Sequence, residues 1–215
     1  MSEILDNLIK RYPILNNEKD IIEQAFIMMV DCYRHDGKIF VAGNGGSAAD
    51  SDHICGELMK SFRLKRRIPD DLRQRLVAID SKIGEELADN LECALPAITL
   101  VSQAAFTTAY INDVGSDSIF AQKLYGLGKE GDLFLGISTS GNSKNVIQAA
   151  LLAKAIGIKV IALTGRGGGE LLKYSDICVR IPEEETYKVQ ELHLPIYHCW
   201  CMMLEEAFFG ANNNE

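Results

Sequence analysis

The sequence predicts an α/β fold, a single domain in which five parallel strands are covered by helices. Three observations carry that prediction. Short apolar runs of strand length alternate with stretches whose apolar residues recur at helical spacing. Two of the strand-to-helix turns are rich in glycine and hydroxyl residues. A chain of 215 residues, 47% hydrophobic and 24% charged, suits one domain with a substantial core.

Taken in order, residues 3–11 and 18–35 read as helices and form an N-terminal helical segment over 1–36. In the second of them Ile21, Ile22, Ala25, Phe26, Met29 and Val30 fall at helical spacing. His35, just before Gly37, marks the C-terminal end of that helix. Strands are expected at 38–42, 97–101, 132–137, 159–163 and 177–181. Helical patterns at 47–62, 102–112, 142–156 and 168–173 separate them, which is the alternation of a parallel sheet. A last helix covers 185–209; Pro195 lacks the N–H that would bond to Glu191 and is expected to bend it.

Residues 64–95 interrupt this order. The charged run Arg63-Leu-Lys-Arg-Arg67 leads to Asp70, Asp71, Arg73 and Arg75, while Leu72, Leu76, Ile79, Ile83, Leu87 and Leu91 keep helical spacing. An inserted amphipathic helix or helix pair is expected, serving as a packing or subunit-contact element, since charged runs usually mark solvated faces, with an active-site lid as the alternative.

The two unusual turns are Ala42-Gly-Asn-Gly-Gly-Ser47 and Gly136-Ile-Ser-Thr-Ser-Gly-Asn-Ser143, each placed between a strand and a helix. The second gathers the hydroxyls of Ser138, Thr139, Ser140 and Ser143 with backbone N–H groups at a helix N-terminus, where unpaired amides and the helix dipole favour an anion. Gly141 lets the backbone approach closely. The first turn lacks the G-x-G-x-x-G spacing of a dinucleotide site and the lysine-serine ending of a P-loop. Together the turns suggest a phosphorylated ligand other than a nucleotide, held where ligands of parallel sheets sit, at the carboxyl ends of the strands.

Composition narrows the function classes. A formal net charge of −8 argues against a general nucleic-acid binder. No run reaches the roughly 18 apolar residues of a membrane span, and Glu3 and Asp6 do not fit a signal peptide, so no membrane partner and a cytoplasmic location are expected. Cys32, Cys55, Cys93, Cys178, Cys199 and Cys201 form no C-x-x-C pair and read as reduced thiols, mostly buried.

Two further pairs can carry chemistry. His53 and Glu57 are one turn apart on the helix after the first loop, and Gln190 and His198 are about two turns apart on the last helix. An i, i+4 His/Glu pair is by itself most often a surface hydrogen bond. His193, five residues from His198 and rotated away from it, is assigned to the fold or to a subunit contact.

The order GNGGS then ISTSGNS, each in a strand-turn-helix context, resembles the sugar isomerase (SIS) domain, and most nearly its phosphoheptose isomerase family. The likeness runs from the N-terminal helices through Gly43 to Phe62, resumes at Pro96, and continues through Val160–Gly165 to the last helix. The resemblance implies a flavodoxin-like three-layer sandwich and a homotetramer with sites at subunit borders. It also implies one zinc per subunit on His53, Glu57, Gln190 and His198. The activity it implies is conversion of sedoheptulose 7-phosphate to D-glycero-D-manno-heptose 7-phosphate through an enediol, with Glu57 as carbon base and His198 as partner acid/base. Asn44, Gly45, Ser47, Asp113 and Gln190 would contact the sugar, and Ser138, Thr139, Ser140 and Ser143 the phosphate.

Two positions depart from the family pattern. Lys60-Ser61-Phe62 stands where a glycine-arginine-aromatic turn is usual, and Tyr187 where an acidic residue is frequent. These departures and the insertion keep an isomerase or sensor for another sugar phosphate as the alternative. A non-catalytic interaction module, resembling the replication initiator-associating protein, lacks the Glu and second His that are present here.

Overall fold

The computed structural model describes residues 2–210. Helix α1 (Ser2–Arg11), a 3₁₀ turn and helix α2 (Lys19–Arg34) lead into β1 (Ile39–Ala42), α3 (Gly46–Met59), the helix pair α4 (Asp70–Ile79) and α5 (Ser81–Asn90), and β2 (Ala97–Thr99). There follow α6 (Ala104–Asp113), α7 (Ile119–Leu127), β3 (Leu133–Ser138), α8 (Lys144–Ala155), β4 (Lys159–Thr164), β5 (Ile177–Arg180) and α9 (Thr186–Phe209). The five strands form one parallel sheet in the order β2-β1-β3-β4-β5. All five strands and the helix pair expected from the sequence are present.

Alternation along the strands divides the core into two layers. Ile39, Val41, Leu133, Leu135, Ile161 and Leu163 face α1, α2, α3 and α9, whereas Phe40, Ala42, Phe134, Val160 and Ala162 face α7 and α8. Helix α9 is the spine of the first layer: it packs on α1, α2 and α3, and Trp200 donates its indole N–H to the Ile22 carbonyl at 2.9 Å. It runs as one helix through Pro195.

Three expectations are corrected. Helix α7 was not foreseen; its buried face is Ile119, Phe120, Lys123 and Leu124, and the lysine breaks the apolar pattern by which a helix is read. The Lys123 ammonium is nevertheless placed, donating to the Ser102 carbonyl under the Phe106 ring. The segment 168–173 forms a 3₁₀ turn, Glu170–Tyr174, rather than an α-helix, because the N–H groups of Glu170 and Leu171 are drawn to the Asn142 side chain and the Gly141 carbonyl. Helix α3 stops at Met59 instead of 62, its last carbonyls being taken by Arg66.

Arg66 belongs to a buried anchor that joins the insertion to α9. Glu205, 1% exposed, accepts from the N–H groups of Phe62 (2.8 Å), Arg63 (2.7 Å) and Leu64 (3.0 Å) and from Arg66 Nε (2.9 Å). Arg66 also donates to the carbonyls of Leu58 at 2.7 Å and Glu57 at 3.1 Å, and its guanidinium lies over Phe209. Every strong polar group here is paired, as a buried ion pair requires. Ser61 gives the departing turn its own role: its N–H and Oγ donate to Glu92 at 2.7 and 2.6 Å, closing the base of the insertion beside an isolated Arg67–Glu92 bridge. Those two bonds hold the Glu92 carboxyl below its ordinary range. Further out, Arg73 spans Glu85 and Asp89, while Ile79 and Ile83 remain exposed.

His193 is fully buried and neither ring nitrogen makes a well-formed hydrogen bond, as expected of a residue serving the fold. Burial lowers its pKa from 6.5 to about 4, only partly offset by the Thr164 backbone. Because the folded value lies below the unfolded one, the unfolded chain takes up the proton first. The associated stability is complete above pH 6.5 and is lost as pH falls from 6.5 towards 4, by up to about 3 kcal/mol. Thermal melts across that window should show this acid limb, and His193→Leu should flatten it; an unchanged limb would contradict the assignment.

Candidate functional site

The two loops occupy the carboxyl ends of β1 and β3 and feed α3 and α8. Neither helix has a side-chain cap from its N-cap residue, Gly45 before α3 and Ser143 before α8, although in α8 the Asn145 side chain accepts from Val146 N at 3.0 Å. Ser143 turns its hydroxyl to Ser138 Oγ instead, at 3.0 Å. The first amides of both helices therefore have no capping oxygen from their own N-cap side chain, the arrangement that accommodates an anion.

Backbone conformation explains the glycines. Gly45 and Gly141 adopt φ values of +57° and +67°. A Cβ at Gly141 would also collide with the Gly168 carbonyl, so the second loop lies directly on the following glycine-rich turn. Ser138 is buried, Thr139 half-buried and Ser140 exposed, with Ser140 Oγ accepting from Asn142 N at 3.2 Å. The hydroxyls thus line the loop from its floor to its mouth.

Asn44 and Asn145 join the two loops. Each amide donates Nδ2 to the other's Oδ1 at 2.9 Å, a reciprocal pair across 101 residues. Asn145 was absent from the sequence reading; its place just after Ser143 was visible, but its partner was not. Ser47 is buried behind the first loop, where its N–H bonds to the Asn44 carbonyl at 3.1 Å.

The His–Glu cluster lies along the flank of the domain, where α3 and α9 run side by side. His53 Nε2 is 3.3 Å from Glu57 Oε1 and 3.5 Å from His198 Nε2, and the two imidazoles meet edge to face at 5.0 Å. Glu57 is also paired with Lys60 Nζ at 3.2 Å. Phe62 covers His198 from the insertion side, with ring centroids 5.5 Å apart. Burial is the main cause lowering the His198 pKa, with His53 acting in the same direction and Glu57 against them. His198 is accordingly neutral at neutral pH, with one ring nitrogen a donor and the other an acceptor.

Gln190 meets a different part of the site. A Cβ at Gly46 would stand 2.5 Å from Gln190 Nε2, so the carboxamide rests on the first turn of α3. That contact and the His53–His198 contact set α3 and α9 parallel, with Gln190 beside Gly46 and His198 beside His53. Among the described residues no three His, Cys, Asp or Glu side chains close into a metal cage. Asp113 ends α6, exposed, where its carboxylate accepts from Asn112 at 2.9 Å, and Tyr187 is exposed in the first turn of α9.

Two residues beneath the cluster were not singled out in the sequence. Tyr197, 1% exposed, places its hydroxyl 3.1 Å from both Asp50 Oδ1 and His53 Nδ1. Asp50 precedes His53 by three residues, so helical spacing could have nominated it; nothing local points to Tyr197.

This sheet order with two anion-ready helix N-termini defines the class of protein, and comparison with known families agrees. The SIS domain model matches residues 8–87 and 79–165. The phosphoheptose isomerase of Sulfurimonas denitrificans is 38% identical over 203 residues, covering 94% of this chain and 91% of that protein. That of Akkermansia muciniphila is 34% identical, covering 98% and 100%. Among solved structures, phosphoheptose isomerase GmhA from Neisseria gonorrhoeae superposes with a TM-score of 0.72 at 29% identity, covering 95% of this chain and 98% of that one. The chain belongs to the SIS-domain phosphoheptose isomerase family.

Proposed function

We propose that this protein is an aldose–ketose isomerase that converts sedoheptulose 7-phosphate to D-glycero-D-manno-heptose 7-phosphate. The observation that carries the reading is the joint presence of an uncapped phosphate loop and a separate His53–Glu57–His198 cluster in a chain matching phosphoheptose isomerases almost end to end. The spacing supports a long sugar. His53 lies seven residues along α3 from Gly46, about 10 Å at the helical rise, and Asn44–Asn145 ties that end of α3 to the phosphate loop.

Isomerisation moves one proton between adjacent carbons and another between their oxygens. Glu57 removes a proton from C1 of the ketose and delivers it to C2. His198, neutral and facing the same space, carries the proton that leaves the C1 hydroxyl to the oxygen on C2. The enediol between these steps has the two oxygens adjacent, and groups that favour negative charge there lower the barrier. Ser138, Thr139, Ser140, Ser143 and the first amides of α8 hold the phosphate, while Asn44, Gly45, Ser47, Asp113 and Gln190 are assigned to the sugar. Ser140→Ala should raise KM for sedoheptulose 7-phosphate with little change in kcat, since a phosphate hydroxyl serves binding uniformly. A wild-type enzyme inactive on that sugar yet active on another phosphorylated ketose would redirect the substrate assignment.

Zinc is proposed among His53, Glu57, His198 and Gln190, one per subunit. Adjacent ligands on a tetrahedral zinc lie about 3.3–3.4 Å apart, close to the separations His53 makes with Glu57 and His198. Bound there, the metal would polarise the sugar oxygens. Protein purified without chelator should carry near-stoichiometric zinc that falls sharply in His53→Ala; full retention would remove His53 from the set. A homotetramer and a cytoplasmic location complete the proposal. The exposed apolar residues Ile14 before α2, Ile27 on α2 and Leu194 on α9 support association, and six free cysteines suit a reducing compartment.

A further inference from the structure

We infer that Asp50 and Tyr197 are positioning residues that pin the ring proton of His53 on Nδ1, leaving Nε2 of the neutral ring as the lone pair facing Glu57 and His198. The inference rests on the reading of this cluster as the reaction site and on the number of protons its groups carry. A phenol has one hydrogen. Tyr197 donates it to Asp50 Oδ1 at 3.1 Å, and the ionised carboxylate can only accept. At the second contact, 3.1 Å from His53 Nδ1, the same oxygen has no hydrogen left and must accept. His53 Nδ1 therefore carries the proton, and the chain runs Nδ1–H to phenol oxygen, then phenol hydrogen to carboxylate.

The surroundings keep that direction. Tyr197 is almost wholly buried and packs edge to face on His53, with centroids 5.5 Å apart and planes at 73°. An ordinary phenol keeps its hydrogen through neutral and mildly alkaline pH, so the hydroxyl can act as a donor. Glu57 Oε1 stands only 3.3 Å from Nε2, and its negative charge would draw the ring proton to that nitrogen. Tyr197 reaches in from α9 and holds the proton on Nδ1 instead. Histidines that present one nitrogen to a metal or substrate are commonly oriented by a hydrogen bond from the other; here a phenol stands between the imidazole and its carboxylate.

The test reads the tautomer directly, by long-range proton–nitrogen NMR of full-length, chelator-treated protein labelled at its histidines, at alkaline pH where the ring is neutral. Wild type should show His53 with a protonated Nδ1 and a bare Nε2. Tyr197→Phe should move the proton to Nε2 and weaken zinc binding, measured by competition with a chromophoric chelator, by about 10–100-fold. Asp50→Ala keeps the phenol but frees its hydrogen to donate to Nδ1, and should produce the same tautomer switch. A wild-type ring protonated on Nε2, or an unchanged tautomer in both variants, would overturn the inference. Should the wild type isomerise no sugar phosphate while the switch is still seen, the positioning role stands and the proposed reaction falls.

Discussion

Replacing Glu57 with glutamine is expected to lower turnover of sedoheptulose 7-phosphate by about 10²–10⁴-fold, the usual contribution of a group that moves a proton in the transition state. The amide keeps the size of the side chain and can still meet His53 and Lys60, which lie 3.3 and 3.2 Å from the carboxylate. What it loses is the capacity to take a proton from carbon. KM should change far less than kcat, because under the proposed assignment the substrate is bound mainly by the loops at the other end of α3. Steady-state assay beside a melting curve separates this from unfolding, and near-normal turnover in a folded Glu57→Gln would refute the assignment of the carbon base.

The largest loss of stability is expected at the other end of the same helix pair. Glu205→Ala leaves the Arg66 guanidinium buried without its counter-charge and removes the acceptor of three backbone N–H groups at 62–64. Breaking a buried, hydrogen-bonded pair from one side costs about 3–5 kcal/mol. Denaturant titration should register a loss of that order. The double variant Glu205→Leu/Arg66→Met removes the stranded charge and should recover part of it, but not all, since the three amides remain without an acceptor. Full recovery would show that the ion pair alone accounts for the effect.

What could be read from the sequence follows from what is local. Strands with alternating faces, the glycine-serine turns and the His53–Glu57 spacing depend on residues within one or two turns of each other, and the structure places them as expected. Helix α7 was missed because Lys123 interrupts its buried face. The Asn44–Asn145 pair and the Tyr197–Asp50 contact were missed for a different reason. Each joins residues more than 100 positions apart, and a single sequence carries no signal that two polar side chains will meet. The same holds for Glu205, whose partners at 62–66 look like part of an ordinary charged run.

The anchoring of the insertion decides how this chain could be shortened or grafted. Segment 61–66 is not part of a detachable cassette, for Arg66 closes the end of α3 through the Glu57 and Leu58 carbonyls and thereby reaches the backbone of the residue assigned as base. The natural seam lies one step further out, where Arg67 and Glu92 face each other as an antiparallel bridge and Ser61 grips Glu92. A deletion cut at that seam and rejoined by a tight turn would discard α4 and α5 while sparing the Glu205 anchor. One cut at residue 64 would carry away Arg66 and leave the Glu205 carboxylate without its guanidinium partner. The boundary of the module is thus set by which side chains look inward, several residues away from where the extra sequence begins.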